Sequence, residues 1–431
     1  MRAGTTPDEH VEDEHSEDDP VSTETGTAPG QDLGELGATW LAAVESGLDH
    51  ALLLRRRIHT APEVSGSERQ TSDLIGAELS GLLSLDPIAG TGLIGRIGPA
   101  QGPAVGIRAE LDALPVIERT SADFASTNGA MHACGHDVHM AALVAVLRAV
   151  PEVRRRLGSE LPVALAPVFQ PREETYPSGA LDILAEDGLA LRSIAHMIGV
   201  HVHPGIALGH VAIGDGYINA AADEARITVH GRGGHGAYPH DAADPVAAIS
   251  NIALSLPEIV RRTVGPMSAA VVSVGTIQVG AGAANVLPRE GHIRATVRTT
   301  SAAERERLHA AIRMLANGIA LAYGLVADVE IVIGEPVLLN DAELAPRFAA
   351  RVAGLGAEVA SPMRSLGADD FSYFTEAVPS VMSFVGTGEG GDDGPSLHDS
   401  TYLPPERAVL DVARTMIAGY LAGAESILSA H

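Results

Sequence analysis

The chain has 431 residues, of which 45% are hydrophobic, so it is long enough to form a globular protein with two cores. Its formal charge of −26 opposes unaided binding to nucleic acid or to an anionic membrane. No apolar stretch is long enough to span a bilayer, and no charged start precedes an apolar run, so we expect a cytoplasmic protein without a secretory signal.

The first segment in chain order is strongly acidic. Residues 1–36 contain eleven Asp and Glu residues and one arginine, without an apolar period. This composition predicts a disordered acidic tail, with little support for a partner-binding role. The tail carries a formal charge of −10, which leaves −16 for the folded part.

Four largely apolar runs are predicted to be buried strands, and a possible metal ligand or catalytic acid follows each one. The runs cover residues 105–110, 161–170, 194–200 and 380–385. The side chains that follow are Asp112, the pair Glu173 and Glu174, His201 and, after a Gly/Asp-rich loop, His398. Open α/β sheets bind ligands at the carboxyl ends of their strands, so we expect these side chains at one edge of a sheet.

The segment between the third and fourth of these strands has the pattern of an inserted domain. Strands are predicted over residues 224–230, 269–279, 291–299 and 326–333, and helices over residues 244–262 and 301–325. Ser301 and Glu304 have the spacing of a capping box. The order β-α-β-β-α-β is typical of a split, ferredoxin-like domain. We therefore divide the folded chain into a first part (37–217), an inserted domain (218–334) and a second part (335–431).

Cys134, the only cysteine, lies in the densest cluster of metal-ligand side chains, residues 131–139 with the sequence M-H-A-C-G-H-D-V-H. A lone thiol forms no internal disulfide, so it is inert packing, a nucleophile or a metal ligand. An extended segment would direct Cys134 and His136 to one side. A thiolate and an imidazole suit a transition metal such as zinc better than calcium or magnesium. The alternative is a buried cysteine beside chance histidines.

Glu173 and Glu174 follow a strand that Pro171 is predicted to end. Adjacent side chains of a regular strand face opposite ways, but beyond the proline both carboxylates can reach one site. One can then bind metal while the other moves a proton. A solvated acidic loop is the alternative, and the position at the end of a buried strand disfavours it.

Nine segments of the chain together resemble the amidohydrolase branch of the aminoacylase and dinuclear-metal carboxypeptidase superfamily. This branch includes auxin-conjugate hydrolases, hippurate hydrolases and N-acetyl-diaminopimelate deacetylases. The segments occur in family order at residues 56–63, 106–115, 131–139, 169–174, 199–204, 230–240, 285–288, 367–371 and 397–398. The cysteine motif and F-Q-P-R-E-E are the specific ones. The resemblance implies an α/β, dinuclear-metal exopeptidase-like catalytic domain with an inserted ferredoxin-like α+β lid that also serves dimerisation.

The resemblance also implies a site and a reaction. It implies two divalent ions per subunit (Mn, Zn, Co or Ni) with the ligands Cys134, His136, Glu174, His201 and His398. It implies that Glu173 is the general base, that Asp112 orients the site from behind, and that His235 reaches the substrate from the other subunit of a homodimer. The implied reaction splits an N-acyl amino acid into a carboxylate and a free amino acid. A dipeptidase or carboxypeptidase of the same superfamily is the alternative, followed by a catalytically idle metal- or ligand-binding homologue.

Two residues depart from the usual pattern of the family, and two further residues are candidates for binding the substrate. Glu110 and Asp369 each stand where the family usually has the other acid. The carboxylate of an amino-acid product calls for an arginine or a backbone anion nest, and Asn285 and Arg298 of the lid are candidates. An arginine at a strand end is otherwise a surface residue, and His235 is otherwise a loop histidine that caps a helix.

Glycines flank the predicted lid on both sides. Gly214 and Gly216 precede it, and Gly334 is its last residue. Because glycine adopts dihedral angles closed to other residues, we expect these positions to let the lid swing towards the catalytic part.

Overall fold

The computed structural model describes residues 32–280, 282–390 and 394–430. The predicted tail over residues 1–36 lies outside these residues as far as residue 31. Residues 33–36 belong to the first helix, where Leu36 is fully buried, so the tail boundary at residue 36 is four residues too late. Among the described residues, the helices lack the combination of length and apolar character that crossing a membrane requires.

The helices and strands alternate through most of the described chain. The helices are α1 (Leu33–Ser46), α2 (Leu48–Thr60), α3 (Arg69–Leu79), α4 (His136–Leu157), α5 (Gly179–Ala185), α6 (Gly188–Leu191), α7 (Val246–Thr263), α8 (Ala302–Ala322), α9 (Leu344–Gly354), α10 (Ser372–Ala377) and α11 (Arg407–Ser429). The strands are β1 (Leu85–Ile88), β2 (Gly92–Gly95), β3 (Ala104–Glu110), β4 (Ala164–Gln170), β5 (Ile194–Ala207), β6 (His210–Ala212), β7 (Gly216–Asn219), β8 (Ala221–His230), β9 (Gly234–His235), β10 (Ala270–Val279), β11 (Val286–Leu287), β12 (Glu290–Thr299), β13 (Val326–Ile333), β14 (Leu338–Asn340), β15 (Glu358–Ala360) and β16 (Ser380–Gly388).

The larger sheet has eight strands in the order β1-β2-β4-β3-β5-β16-β6-β15. Its central strands β4, β3, β5 and β16 are parallel, so their carboxyl ends meet at one edge. β5 precedes the lid and β16 follows it, yet the two strands are paired. Chain segments on both sides of the lid therefore form one sheet, and the predicted α/β fold class is confirmed.

Helices bury both faces of this sheet, which explains the continuous apolar runs in the sequence. Leu165 and Phe169 of β4 point into a core formed with α1, α2, α4, α9 and α11. Ala164, Ala166 and Val168, which alternate with them, point into a second core that includes side chains of α5 and α10. A strand that is buried on both faces has no polar side, so it reads as an uninterrupted apolar segment.

The lid contains an antiparallel sheet in the order β10-β12-β8-β13, the predicted ferredoxin-like arrangement. Helices α7 and α8 cover one face, where Ile227 and Val229 of β8 are buried. The predicted capping box at the start of α8 is wrong. Ser301 makes no side-chain cap, and the Glu304 side chain accepts a hydrogen bond from the backbone N–H of Gly265 at 3.1 Å.

The lid joins the catalytic domain through two chain segments, and β7 pairs with β14 beside them. Gly216 has a φ of 73°, a backbone conformation that favours glycine. Gly214 and Gly334 serve a different purpose, because a side chain at these positions would lie 2.3 Å from Pro362 and 2.2 Å from the carbonyl oxygen of Ala222. They are glycines because the backbone passes close to its neighbours.

Candidate metal centre and active site

The loop before α4 positions Cys134 and His136. Gly135 between them has a φ of 85°, and His136 is the first residue of α4. A side chain at Gly135 would come within 2.4 Å of a methyl group of Val202, so glycine is required here. The extended geometry that we expected for this segment is therefore wrong. The two side chains nevertheless converge, because the left-handed turn at Gly135 redirects the chain.

His136 and His201 are held in the same tautomer. Nδ1 of His136 donates to the carbonyl oxygen of Asp112 (2.9 Å), and Nδ1 of His201 donates to that of Val202 (2.7 Å). A carbonyl oxygen can only accept, so in each neutral ring the lone pair lies on Nε2. Nε2 of His136 is buried without a hydrogen-bond partner in the described part of the chain, and Nε2 of His201 lies 3.4 Å from Sγ of Cys134. This arrangement is typical of metal-binding imidazoles.

Glu174 connects these residues with His398. Its backbone N–H donates to Oδ2 of Asp112 (2.9 Å), which also accepts the hydroxyl of Ser65 (2.6 Å). Its Oε1 is buried and lies 3.2 Å from Nε2 of His398. The backbone N–H of His398 donates to the carbonyl oxygen of Ala133 at 2.9 Å. The structure therefore brings all five predicted ligands together, with Asp112 behind Glu174.

The donor set fits a divalent transition metal. The ligand atoms of Cys134, His136 and Glu174 lie within 4.8 Å of one another and combine sulfur, nitrogen and oxygen. Burial, followed by the charge of Glu174, raises the pKa of the Cys134 thiol well above its usual range. Burial lowers the pKa of His136, but nearby carboxylates, Glu110 first, outweigh it and raise this pKa to about 10. The surroundings thus favour a positive charge, which a metal ion would supply while displacing these protons.

Glu173 belongs to a different group of side chains from Glu174, although the two are adjacent in sequence. Its Oε2 lies 3.8 Å from Nε2 of His136, and its carboxylate is grouped within 4.8 Å with those of Asp369 and Asp370. Burial, followed by the charges of Glu174, Asp369 and Asp370, raises the pKa of Glu173 well above its usual range. A carboxyl group with a raised pKa beside a ligand cluster is suited to accept and release a proton.

The family profile described as Peptidase family M20/M25/M40 matches residues 106–419, which include all of these candidate ligands. The chain belongs to this family. An N-acetyl-L-cysteine deacetylase of Bacillus subtilis (strain 168) is 35% identical over 83% of this chain and 84% of its own. Thermostable carboxypeptidase 2 of Saccharolobus solfataricus is 31% identical over 79% of this chain and 86% of its own.

A solved structure agrees with this assignment. The YXEP protein of Bacillus subtilis, described as a dinuclear metal binding peptidase from the M20 family, is 27% identical with a TM-score of 0.76. The match covers 88% of this chain and 99% of that one. The predicted family, fold class and metal-dependent amidohydrolase function are confirmed.

The M20 site of this chain also contains polar residues whose roles sequence reasoning missed. Nδ1 of His139 donates to Oε2 of Glu110 (2.9 Å), and its Nε2 accepts the backbone N–H of Val202 (3.0 Å). Arg108 forms a buried ion pair with Glu110. Two signals could have revealed them. Arg108 and Glu110 are two residues apart on a strand, and His136 and His139 are three apart on a helix, so each pair shares a face.

The structure places His235 on the lid, in an exposed position in β9 opposite Val286 of β11. Its Nδ1 accepts the backbone N–H of Ala237 at 3.1 Å. Its neighbour Gly236 donates to the carbonyl oxygen of Asn285 at 2.8 Å. His235 and Asn285 therefore lie side by side on one lid surface.

Arg298 lies on a different part of the lid. Arg298 is the penultimate residue of β12, whereas Asn285 lies before the first residue of that strand. The part of β12 that ends at Arg298 is roughly 26 Å long, so the two candidates lie towards its opposite ends. The two candidates therefore cannot hold one carboxylate within a single subunit. Arg298 instead lines a cavity of about 580 Å³ together with Tyr176, which follows the two site glutamates in sequence.

Proposed function

We propose that this protein cleaves N-acyl amino acids into a carboxylate and a free amino acid. The observation that carries the proposal is that two adjacent glutamates belong to different groups of side chains. Glu174 joins Cys134 and His136, while Glu173 lies against Asp369 with a raised pKa. The 35% identity to an N-acetyl-L-cysteine deacetylase supports the substrate class.

Two divalent ions per subunit, of Mn, Zn, Co or Ni, belong to this proposal. The residues that would hold them are Cys134, His136, Glu174, His201 and His398. When bound, such ions would supply an activated water and polarise the carbonyl group of the amide.

The chain's own residues would move the protons. Glu173 accepts a proton as water attacks the amide and returns it to the leaving amine. Asp112 keeps Glu174 and His136 in place, because its carboxylate accepts the backbone N–H of Glu174 and lies 3.6 Å from Nδ1 of His136. Asp112 is thus a positioning residue, and Glu173 is the catalytic one.

The lid would complete the site in a homodimer. The exposed His235 and the adjacent Asn285 would contact a substrate held by the other subunit, and Arg298 would contact substrate in its own cleft. β10 is the terminal strand of the lid sheet, so its outer edge can pair with a second copy. We place the protein in the cytoplasm and expect no nucleic-acid or membrane partner, since its formal charge of −26 repels polyanions.

A carboxypeptidase or dipeptidase is the second candidate function, and the 31% identity to thermostable carboxypeptidase 2 favours it. Both reactions attack an amide carbonyl, and they differ in the group on the acyl side. An idle homologue is the third candidate, and the complete set of a base and five ligands argues against it.

A substrate panel tests the proposal. Protein reconstituted separately with Mn, Zn, Co or Ni is assayed with N-acetyl, N-benzoyl and longer N-acyl amino acids, and with free dipeptides and longer peptides. We expect the highest kcat/KM on N-acyl amino acids, with activity lost to a chelator and restored by metal. A preference for peptides would support the second candidate. Stoichiometric ion binding without hydrolysis of any compound would support the idle homologue.

A further inference from the structure

Arg108 of β3 is the centre of a buried network behind the site, with a side chain that is 1% exposed. Its Nη2 donates to Asp370 at 2.6 Å and to Asp369 at 3.3 Å, and its Nη1 donates to Glu110. Its Nε donates to Oε1 of Gln170 at 3.0 Å. A planar guanidinium supplies these donors in fixed directions, which an ammonium group does not.

One arm of the network reaches the histidines. Glu110 accepts the Nδ1–H of His139 at 2.9 Å, and the His139 ring packs 4.7 Å from that of His201. The backbone N–H of Val202 donates to the same His139 ring. A shift of Glu110 would therefore reach His201 through a single intervening side chain.

The other arm reaches the base. Asp369 is grouped with Glu173 within 4.8 Å, and Asp370 accepts the side-chain amide of Gln170 at 2.6 Å. Gln170 ends β4, three residues before Glu173. The Arg108 side chain therefore fastens both the loop beside Glu173 and the strand that leads to it.

We propose that Arg108 is a positioning residue that bridges Glu110 and Asp369, so that the lengths of these two acids must match for His201 and Glu173 to be correctly spaced. Shortening Glu110 withdraws its carboxylate from Arg108 or His139. Lengthening Asp369, which is buried beside both Arg108 and Glu173, moves its carboxylate towards one of them. Exchanging both acids keeps the combined length of the two side chains unchanged.

The inference rests on the proposed roles of Glu173 and His201, and a double-mutant cycle tests it. The cycle compares the wild type, Glu110→Asp, Asp369→Glu and the double variant by kcat, KM and metal content. We expect each single change to lower kcat about tenfold or more, with KM changed less than about threefold. The double variant is expected to return to within about threefold of the wild-type kcat. Losses that simply multiply in the double variant would overturn the proposal.

Two further variants separate positioning from general stability. Arg108→Lys keeps the charge but loses the fork of donors, so its kcat should fall and the acid exchange should not rescue it. Glu425→Asp is the matched control, because it shortens an acid held by Arg351 at 2.9 Å on the outside of the catalytic domain. It should leave kcat unchanged. Coupling that appears in the melting temperature but not in kcat would assign the network a structural role only and refute the proposal.

The double-mutant cycle still tests the coupling between Glu110 and Asp369 if the proposed function is wrong. Should the wild type hydrolyse no amide, the affinity of the four proteins for added Zn²⁺ replaces kcat as the measurement. A loss in Glu110→Asp that Asp369→Glu reverses supports the coupling, and independent losses contradict it.

Discussion

The sheet edge and the lid hold their predicted site residues in opposite ways. At the sheet edge, Cys134, His136 and His201 are buried and are fixed by contacts with one another or with neighbouring backbone. On the lid, His235 and Asn285 are exposed, and the hydrogen bonds described above join them only to other lid residues. The sheet edge therefore presets its geometry within one subunit, whereas the role that we propose for the lid residues requires that a substrate or a second subunit meets them.

Glu173→Gln is the strongest test of whether the reaction is catalysed at the sheet edge. The amide cannot accept a proton from water, so we expect kcat to fall roughly 10²- to 10⁴-fold. Metal content, measured by elemental analysis, should stay unchanged because Glu173 is not among the proposed ligands. Glu258→Gln, on the exposed lid surface, is the control and should keep full turnover. Turnover near that of the wild type in Glu173→Gln would end its assignment as base.

His235→Ala tests whether the lid takes part at all. If His235 donates to the developing oxyanion, we expect kcat to fall roughly 10²- to 10³-fold with metal content unchanged. The matched control is His230→Ala, another exposed lid histidine, which contacts Asp328 on the lid itself. Equal activity of the two variants would remove His235 from the reaction.

Mixing subunits then tests whether the sheet edge of one subunit and His235 of the other subunit form one site. A heterodimer of Glu173→Gln and His235→Ala subunits contains one intact sheet edge and one intact His235, on different chains. We expect such heterodimers, verified by mass, to regain activity that neither homodimer has. Absence of rescue would place His235 in the same subunit as the Glu173 that it serves.

The fold was predictable wherever burial follows a simple period. β8 alternates because one face packs on α7 and α8, and β4 is apolar throughout because both faces are covered. The short strands β1, β2, β6 and β15 were not predicted, since three or four residues carry too little pattern. His201 was expected after its strand but lies within β5, which continues to Ala207 along the edge of β16.

The site was predictable where its residues are neighbours in sequence or match a family motif. Cys134 and His136, like Glu173 and Glu174, are local pairs. The bridge from Glu110 through Arg108 to Asp369 joins residues that are more than 250 positions apart. Their proximity depends on the register of β3 beside β4 and on the path of the loop between β15 and α10, and neither can be read from a local sequence pattern.

Gly135→Ala tests the preset geometry of the sheet edge with a single methyl group. The added carbon would lie 2.4 Å from Val202, so the Cys134 loop must move. We expect zinc affinity, measured by competition with a chromophoric chelator, to fall at least about tenfold. Gly129→Ala is the control, because its φ of 88° imposes the same backbone strain but open space surrounds the new methyl. An equal loss of zinc affinity in the two variants would show that backbone strain, and not the contact with Val202, causes the loss.

The smallest expected effect concerns the junction between the two regions, where Asp223 of β8 accepts hydrogen bonds from Arg305 (2.8 Å), His309 (2.6 Å) and the backbone N–H of Gly334 (3.0 Å). Burial raises the pKa of Asp223, but these bonds outweigh it and hold the pKa well below its usual range. The carboxylate therefore stabilises the fold above its unfolded pKa of about 3.9, and this stabilisation is lost as pH falls towards the folded pKa. Asp223→Asn should lower the free energy of unfolding by about 2 kcal/mol at neutral pH.

Urea unfolding of the metal-free wild type and Asp223→Asn, at pH 7, pH 5 and pH 3.5, measures this effect. The difference between them should be the same at pH 7 and pH 5, because the carboxylate is ionised in both states, and smaller at pH 3.5. Asp328→Asn, an exposed lid acid, should match the wild type at neutral pH, since exposed ion pairs contribute little. A difference that does not shrink at pH 3.5 would mean that the Asp223 side chain acts through its shape. The junction would then owe its stability to packing and not to the charge of this residue.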